Sequence, residues 1–191
     1  GGFASGNTAV NTIQYIAIAS TGNATDFGDL TGAKYQAAGT ASPTRGLKGG
    51  GGGTRTDVIE YIAIASAGNA ADFGDLSAAK YGLSAAASNT RSLFAGGNAS
   101  GATRLDVIEY VTTASTGNVT DFGNLNVGRT NVSGTSGGGR AVIGGGYSIS
   151  GLTNVMDFVT ISTTGDAADF GDLVANTNSA GSCSNAHGGL A

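Results

Sequence analysis

One ten-residue phrase decides the fold of this chain: TGNATDFGDL, at residues 21–30. Close copies of it occupy residues 67–76, 116–125 and 164–173. Their central phenylalanines are 46, 49 and 48 residues apart, and an aromatic residue precedes each by 12 positions. A fixed period of this length is typical of stacked or radial repeat folds, so we expect a single repeat domain over 1–191. The four pairs are Tyr15 with Phe27, Tyr61 with Phe73, Tyr110 with Phe122, and Phe158 with Phe170.

The composition argues against several classes of protein. The 191 residues include 35 glycines, one proline and no tryptophan, and the net charge is −4 with only 9 basic residues. Glycine without a Gly-X-Y period excludes collagen. Because no lysine or arginine cluster could neutralise a run of phosphates, we expect no nucleic-acid partner. No apolar stretch reaches membrane-spanning length, and the single cysteine, Cys183, allows no internal disulfide.

The second copy shows the local structure expected of one unit. Residues 57–65 are β-branched, aromatic and apolar on both faces, which predicts a strand lying between other layers. Further short strands are expected at 72–76, 80–84 and 90–95, because Ala-rich pieces are too short and too interrupted for helices. Four short strands in a unit of this length are typical of a β-propeller blade.

Each unit also repeats a glycine pair, a tyrosine and a later aromatic residue in a fixed order. This order resembles the kelch repeat, in which a glycine pair and a tyrosine are followed by a tryptophan. Here Phe158 replaces the tyrosine of the fourth unit, and phenylalanine replaces the tryptophan throughout. The resemblance implies an all-β, kelch-like β-propeller of four-stranded blades, with units at approximately 1–43, 44–89, 90–138 and 139–191. The glycine pairs lie at 1–2, 50–51, 96–97 and 145–146.

The two ends of the sequence fit the same pattern. An arginine lies 18 residues after each of the first three phenylalanines, and His187 takes this place in the fourth unit. A glycine pair follows each arginine, whereas the sequence stops at Ala191 and starts with a glycine pair. One interpretation is a closed four-bladed ring with one blade shared by the termini, which leaves no open sheet edge. The alternative is a fragment or half of a larger propeller of about six to eight blades, completed by further repeats or by a second copy. The sequence lacks an initiator methionine and a signal peptide, so we expect a processed product or part of a longer chain.

Few residues qualify as a chemical site. The four Asp-Phe-Gly copies lack the other kinase motifs and predict turns. Acidic groups such as Asp26 with Asp29, or Asp169 and Asp172 beside Asp166, show no calcium-loop pattern, so we expect solvated turns and no metal or other cofactor. The weak binding candidates are Arg45, Arg91, Arg140 and His187, which could ring a channel or rim and hold carboxylates or sugar hydroxyls. The plainer interpretation pairs these arginines with carboxylates, of which Glu60 and Glu109 are the obvious ones.

Three function classes follow from these observations. The repeated phrase is similar to Gly-, Thr- and Asn-rich repeats in structural and tail-fibre proteins of tailed phages, especially marine and cyanobacterial ones. That resemblance implies a non-enzymatic structural or adhesive module of a virion or another extracellular surface, with loops that bind a glycan or partner proteins, as a homo-oligomer or within a larger assembly. The alternative is an intracellular kelch-type protein-interaction scaffold. A copper enzyme on a propeller would need histidine ligands, and the chain has a single histidine.

Overall fold

A computed structural model describes residues 1–137 and 139–184, which form an all-β structure, as the sequence predicts. Two single-turn 3-10 helices, Ser5–Asn7 and Ser100–Ala102, interrupt the strands. Among the described residues, no helix has the length and apolar character needed to cross a membrane. The fold is therefore carried by β-sheets alone.

The strands form a succession of antiparallel sheets. A hairpin of β1 (Gly2–Ala4) and β2 (Thr8–Val10) precedes sheet I, which pairs β3 (Thr12–Tyr15) with β4 (Thr25–Asp29). Sheets II, III and IV each have four strands joined as neighbours in chain order. Sheet II contains β5 (Ala38–Ala41), β6 (Arg45–Gly49), β7 (Thr56–Ala63) and β8 (Ala71–Lys80).

Sheet III repeats this arrangement with β9 (Ser84–Ala87), β10 (Arg91–Ala95), β11 (Val107–Thr112) and β12 (Thr120–Asn124). A small three-stranded sheet then combines β13 (Arg129–Thr130) with two strands from a later loop, β16 (Tyr147–Ser148) and β17 (Gly151–Leu152). Sheet IV contains β14 (Ser133–Gly137), β15 (Arg140–Gly144), β18 (Val155–Thr160) and β19 (Ala168–Asp172).

One predicted strand of the second unit is wrong, and the strand predicted at 90–95 forms as Arg91–Ala95 but belongs to sheet III. Residues 80–84 were expected to form one strand, but Lys80 ends β8 and Ser84 begins β9 in the next sheet. Gly82 lies between them with a φ of +65°, in the left-handed region that breaks a strand. In sheets II, III and IV the first strand therefore comes from one predicted unit and the other three strands come from the unit that follows it. For example, β5 falls within the predicted unit 1–43.

The paired aromatic residues meet at a β-bulge that recurs in sheets I to IV. In sheet II the register shifts between Ile59 and Glu60, which leaves Phe73 as the extra residue of β8. The bulge turns the Phe73 ring onto the edge of Tyr61, with ring centroids 5.8 Å apart. The equivalent pairs are Tyr15–Phe27, Tyr110–Phe122 and Phe158–Phe170, at 6.0, 5.9 and 5.9 Å.

The forward face of a sheet is here the face that carries the phenylalanine of the repeated phrase. Sheets I, II and III each pack this face against the back face of the next sheet. One apolar core contains Leu47 and Phe73 of sheet II together with Phe94 and Val111 of sheet III. A second core contains Phe122 of sheet III together with residues of sheet IV. Burial of such side chains contributes about 1.5–3 kcal/mol each, so these cores hold the succession of sheets together.

Backbone contacts reinforce these junctions. The Phe73 carbonyl of sheet II accepts a 2.7 Å hydrogen bond from Gly117 N–H, in the turn of sheet III. A Cβ atom added at Gly74 would overlap the Gly117 carbonyl, so this close approach requires glycine. The same hydrogen bond joins Gly68 N–H to the Phe27 carbonyl and Gly165 N–H to the Phe122 carbonyl, both at 2.7 Å.

The first strands of the sheets converge around one cavity. Residues of β5, β9 and β14, together with residues 182–184, line a space of about 170 Å³. The turns that precede these strands are linked, because Gly82 N–H donates to the Gln36 carbonyl, Asn131 N–H to the Gly82 carbonyl, and Ser179 N–H to the Asn131 carbonyl. The Gln36 amide also reaches Asn131 at 3.4 Å, across 95 positions of the chain. The turns before the first strands of sheets II and IV therefore approach each other, although these sheets are not adjacent.

The forward face of sheet IV differs from the others. Phe73 and Phe122 are each 2% exposed, whereas Phe170 is 49% exposed. A Cβ atom at Gly171 would contact nothing within 4 Å, and Ile18, which follows β3 of sheet I, is 96% exposed. The described residues thus leave the forward face of sheet IV and the back face of sheet I uncovered, and a closed ring stays a prediction.

Candidate functional site

The three predicted arginines stack on the aromatic residues of the repeat. The guanidinium carbons of Arg45, Arg91 and Arg140 lie 4.7, 4.5 and 4.8 Å from the ring centroids of Tyr61, Tyr110 and Phe158. This placement is a cation–π contact within one sheet, because the arginine and the aromatic residue occupy neighbouring strands.

Two of these arginines also reach the next sheet. Arg45 donates to the Thr113 carbonyl and Arg91 to the Ile161 carbonyl, each at 3.0 Å. The predicted carboxylate partners, Glu60 and Glu109, are wrong for these residues, since both carboxylates pair with lysines instead. Arg45 and Arg91 therefore fasten neighbouring sheets. Arg140 is exposed, and His187 lies outside the described residues.

Buried ion pairs occupy the inner part of the junctions. Lys80 of sheet II lies 3.0 Å from Glu109 of sheet III, and Arg129 lies 2.5 Å from Asp157 of sheet IV, with all four side chains at most 1% exposed. Ser77 and Asn126 add hydrogen bonds to Glu109 and Asp157. Breaking such a pair by removing one partner leaves a buried lone charge, so these positions are structural.

The first junction holds its carboxylate differently. Glu60 receives Lys48 from the neighbouring strand of its own sheet at 3.1 Å, and Thr31 N–H from the preceding sheet. Burial raises the pKa of Glu60, but the hydrogen bonds from Thr31 and Lys48 outweigh it, and its pKa lies below the usual value. Burial lowers the pKa of Lys48, and the same effect lowers the pKa of Arg129 against the attraction of Asp157.

The predicted turns at the Asp-Phe-Gly copies are wrong, because these copies lie within strands β4, β8, β12 and β19. Hydrogen bonds join the ends of these strands to the turns of the next sheets. Asp29 N–H donates to the Asn69 side chain and Asp75 N–H to the Asn118 side chain, each at 3.0 Å. Asp166 accepts hydrogen bonds from both the backbone and the side chain of Asn124, at 2.9 and 3.2 Å. In residues 1–137 and 139–184, no group of three or more His, Cys, Asp or Glu is placed to hold a metal ion.

A second set of aromatic and arginine residues lies on the edge of the molecule formed by the loops that follow the glycine pairs, here called the loop edge. Phe3 stacks on Tyr35 with centroids 4.3 Å apart and an interplanar angle of 28°. The Arg55 guanidinium lies 5.1 Å from the Tyr81 ring, and that of Arg104 lies 4.6 Å from the Tyr147 ring. The backbone explains this alignment, because three bridges join a residue after a glycine pair to the turn before the first strand of the same four-stranded sheet. These bridges are Gly52–Tyr35, Asn98–Tyr81 and Tyr147–Thr130.

A cleft of about 480 Å³ opens on the loop edge between Tyr35 and Tyr81. Its wall carries the exposed Arg55 and Gln36, and Arg55 is oriented by a 3.2 Å hydrogen bond to the Asn98 side chain. Thr54 and Ser100 add hydroxyl groups. Two half-buried aromatic rings with amide, guanidinium and hydroxyl groups around them can hold a ligand that has both apolar and polar surfaces. This loop-edge cleft is the candidate functional site.

These loop-edge residues were not among those that the sequence predicts as functional. Tyr35 and Tyr81 each follow the repeated phenylalanine by eight positions, which could have marked them as equivalent. Arg55 and Arg104 lie in loops of different length and sequence, so no repeat position identifies them. Only the fold brings the four residues to one edge.

No protein-family model matches the chain, and no curated protein sequence is significantly similar to it. The kelch-like and phage-like resemblances therefore stay predictions that rest on the motifs themselves.

Proposed function

We propose that this chain is a non-enzymatic structural or adhesive module that binds a glycan in the loop-edge cleft. Its setting is a virion tail fibre or appendage, or another extracellular surface. The observation that carries the proposal is the pairing of Tyr35 and Tyr81 with Arg55 and Gln36 around one cleft. A sugar ring offers an apolar C–H face to a tyrosine ring and hydroxyl groups to amide and guanidinium donors.

We also propose that the sheets are blades of a kelch-like β-propeller. The sequential four-stranded sheets and the shared cavity at their first strands support this arrangement. The described residues leave the back face of sheet I and the forward face of sheet IV uncovered, which favours one arc of a larger propeller over a closed four-bladed ring. A low-resolution density map of the intact assembly would give the number of blades.

A protein partner is the second candidate, as in a kelch-type scaffold. The loop edge exposes Phe3, Tyr147, Ile149 and Leu152, which are 54%, 39%, 85% and 45% exposed. Exposed apolar groups beside arginines and aromatic residues are common in protein interfaces. This apolar surface lies along the same edge as the cleft, so the position of the site does not distinguish glycan binding from protein binding. Binding experiments distinguish them.

The test is binding to a glycan array, followed by titration calorimetry with any sugar retained. We expect the parent chain to bind, and Tyr81→Ala and Arg55→Ala to weaken binding by about tenfold or more, because each removes a wall of the cleft. Thr116→Ala, in an exposed turn at the other end of β11, is the matched control and should bind like the parent. An array without binding, together with retention of a purified surface protein that depends on Phe3 and Ile149, would replace the glycan by a protein partner.

A further inference from the structure

We infer that the forward face of sheet IV binds the back face of sheet I in a second copy of this chain, which creates a fourth junction of the internal kind. Residues 1–137 and 139–184 leave both faces uncovered. Phe170 of β19 and Val174, which follows this strand, are exposed, and Ile16 and Ile18, which follow β3 of sheet I, are 62% and 96% exposed. The residues equivalent to Ile16 in sheets III and IV, Val111 and Val159, are 3% and 4% exposed because a preceding sheet covers them.

The charged positions of the repeat identify the occupant. At each internal junction the position seven residues after the phenylalanine is basic: Lys34, Lys80 and Arg129. The position before the aromatic residue of the next unit is acidic: Glu60, Glu109 and Asp157. On the uncovered forward face the basic residue is replaced by Thr177, and on the uncovered back face the acid is replaced by Gln14.

This double replacement makes the two free faces match each other, and neither matches the charged faces that form the Lys80–Glu109 and Arg129–Asp157 pairs in the last two junctions. Thr177 opposite a carboxylate, or Gln14 opposite a lysine, would bury a charge without its partner, which is strongly unfavourable. Val174 agrees with this assignment, because it replaces the polar residues Thr31, Ser77 and Asn126 that donate to the carboxylates. A neutral Gln14 needs no such donor.

Two hydrogen-bonding positions are retained on the free faces. Asn23 is the repeat equivalent of Asn69 and Asn118, whose side chains accept hydrogen bonds from the N–H groups of Asp29 and Asp75. Asp172 is equivalent to these aspartates and has the N–H group that Asn23 would accept. Arg140 is the repeat equivalent of Arg45 and Arg91, which donate to the carbonyl of the third residue after the aromatic of the next sheet. On sheet I that residue is Ile18, whose carbonyl is available to Arg140 of another copy. The second copy thus supplies partners for Asp172 and Arg140 by the contacts that join the internal sheets.

The association is heterologous, since different faces of the two copies meet. It produces a ring of copies if the rotation closes and a longer stack if it does not. The inference concerns assembly and does not depend on glycan binding at the loop edge.

The test is sedimentation velocity of the 191-residue chain over a range of concentrations. We expect reversible self-association, weakened at least about tenfold by Gln14→Glu, which places a lone carboxylate at the junction. Gln14→Glu combined with Thr177→Lys should restore association, because it recreates the Lys80–Glu109 pair. Ser150→Glu, the same charge change in an exposed loop, is the control and should associate like the parent. A chain that stays monomeric, or a Gln14→Glu variant that associates like the parent, overturns the inference.

A disulfide distinguishes a second copy from closure within one chain. In a Cys183→Ser background, Asn23→Cys and Asp172→Cys place thiols at positions that the junction brings together. Oxidation should give dimers or larger species on a non-reducing gel. A disulfide formed only within single chains overturns the second copy and assigns the contact to ring closure.

Discussion

The forward faces of sheets III and IV carry the same aromatic motif but differ in burial. Phe122 is 2% exposed and lies in a core shared with sheet IV, whereas Phe170 is 49% exposed. Their pairs with Tyr110 and Phe158 have the same centroid distance of 5.9 Å, so the local bulge is the same in both sheets. The repeat therefore sets the local structure of the forward face, whereas burial of that face depends on packing of the next sheet.

The comparison also explains two departures from the repeated phrase. Sheet III has Asn124 where the other copies have aspartate, and sheet IV has Asp166 where they have asparagine. These two residues face each other and share a hydrogen bond. Aspartate at both positions would place like charges together, so the exchange preserves the junction.

The largest effect is expected from truncating the two phenylalanines. Phe122→Ala should lower the free energy of unfolding by about 3–5 kcal/mol, because it leaves a cavity in a closed core. Phe170→Ala should cost about 1 kcal/mol or less, since half of the ring already contacts water. Urea denaturation at a concentration where the chain is monomeric checks this, and equal losses would mean that sheet IV is covered within one chain.

An intermediate effect is expected from two glycines with similar backbone conformations. Gly74 and Gly171 have φ values of +147° and +129°, so alanine is strained at both. Only at Gly74 does a Cβ atom overlap the next turn. Gly74→Ala should therefore destabilise the chain by about 1–3 kcal/mol more than Gly171→Ala. Thermal unfolding of the two variants measures the difference, and its absence would show that the junction yields without cost.

The smallest effect is expected at the Asn124–Asp166 contact. Asn124→Asp should lower the free energy of unfolding by about 0.5–1 kcal/mol at low salt, because two carboxylates then meet at an exposed site. Adding Asp166→Asn should recover most of the loss by restoring an opposite arrangement of the pair. A double-mutant cycle at two salt concentrations gives the coupling energy. If Asp166→Asn does not recover the lost free energy of unfolding, the loss comes from a change in the turn and not from charge repulsion.

Much of the repeat could be predicted from residue patterns. The β-branched run at 57–65 gave β7, and the constant spacing of 12 residues between Tyr61 and Phe73 follows from two neighbouring strands with one bulge. The pairing of arginines with carboxylates failed because an arginine can satisfy its donors at a backbone carbonyl and a ring face. The nearby Lys48 and Lys80 fill the carboxylate positions instead.

The turns that precede the first strands of the sheets show why contacts between units could not be predicted from the sequence. Gln36, Gly82, Asn131 and Ser179 have φ values between 51° and 65°, and hydrogen bonds link them in sequence. Four different residue types occupy this one position, so no motif marks it. Its conformation is imposed by strands that cross from one sheet to the next.

The order of residues by itself determined the repeat, its strands and the aromatic pairs, because these depend on contacts within one unit of the chain. The tertiary structure decided which faces are buried, which charged groups meet and which loops form a cleft. Those properties depend on residues from different units, brought together only when one sheet packs on the next.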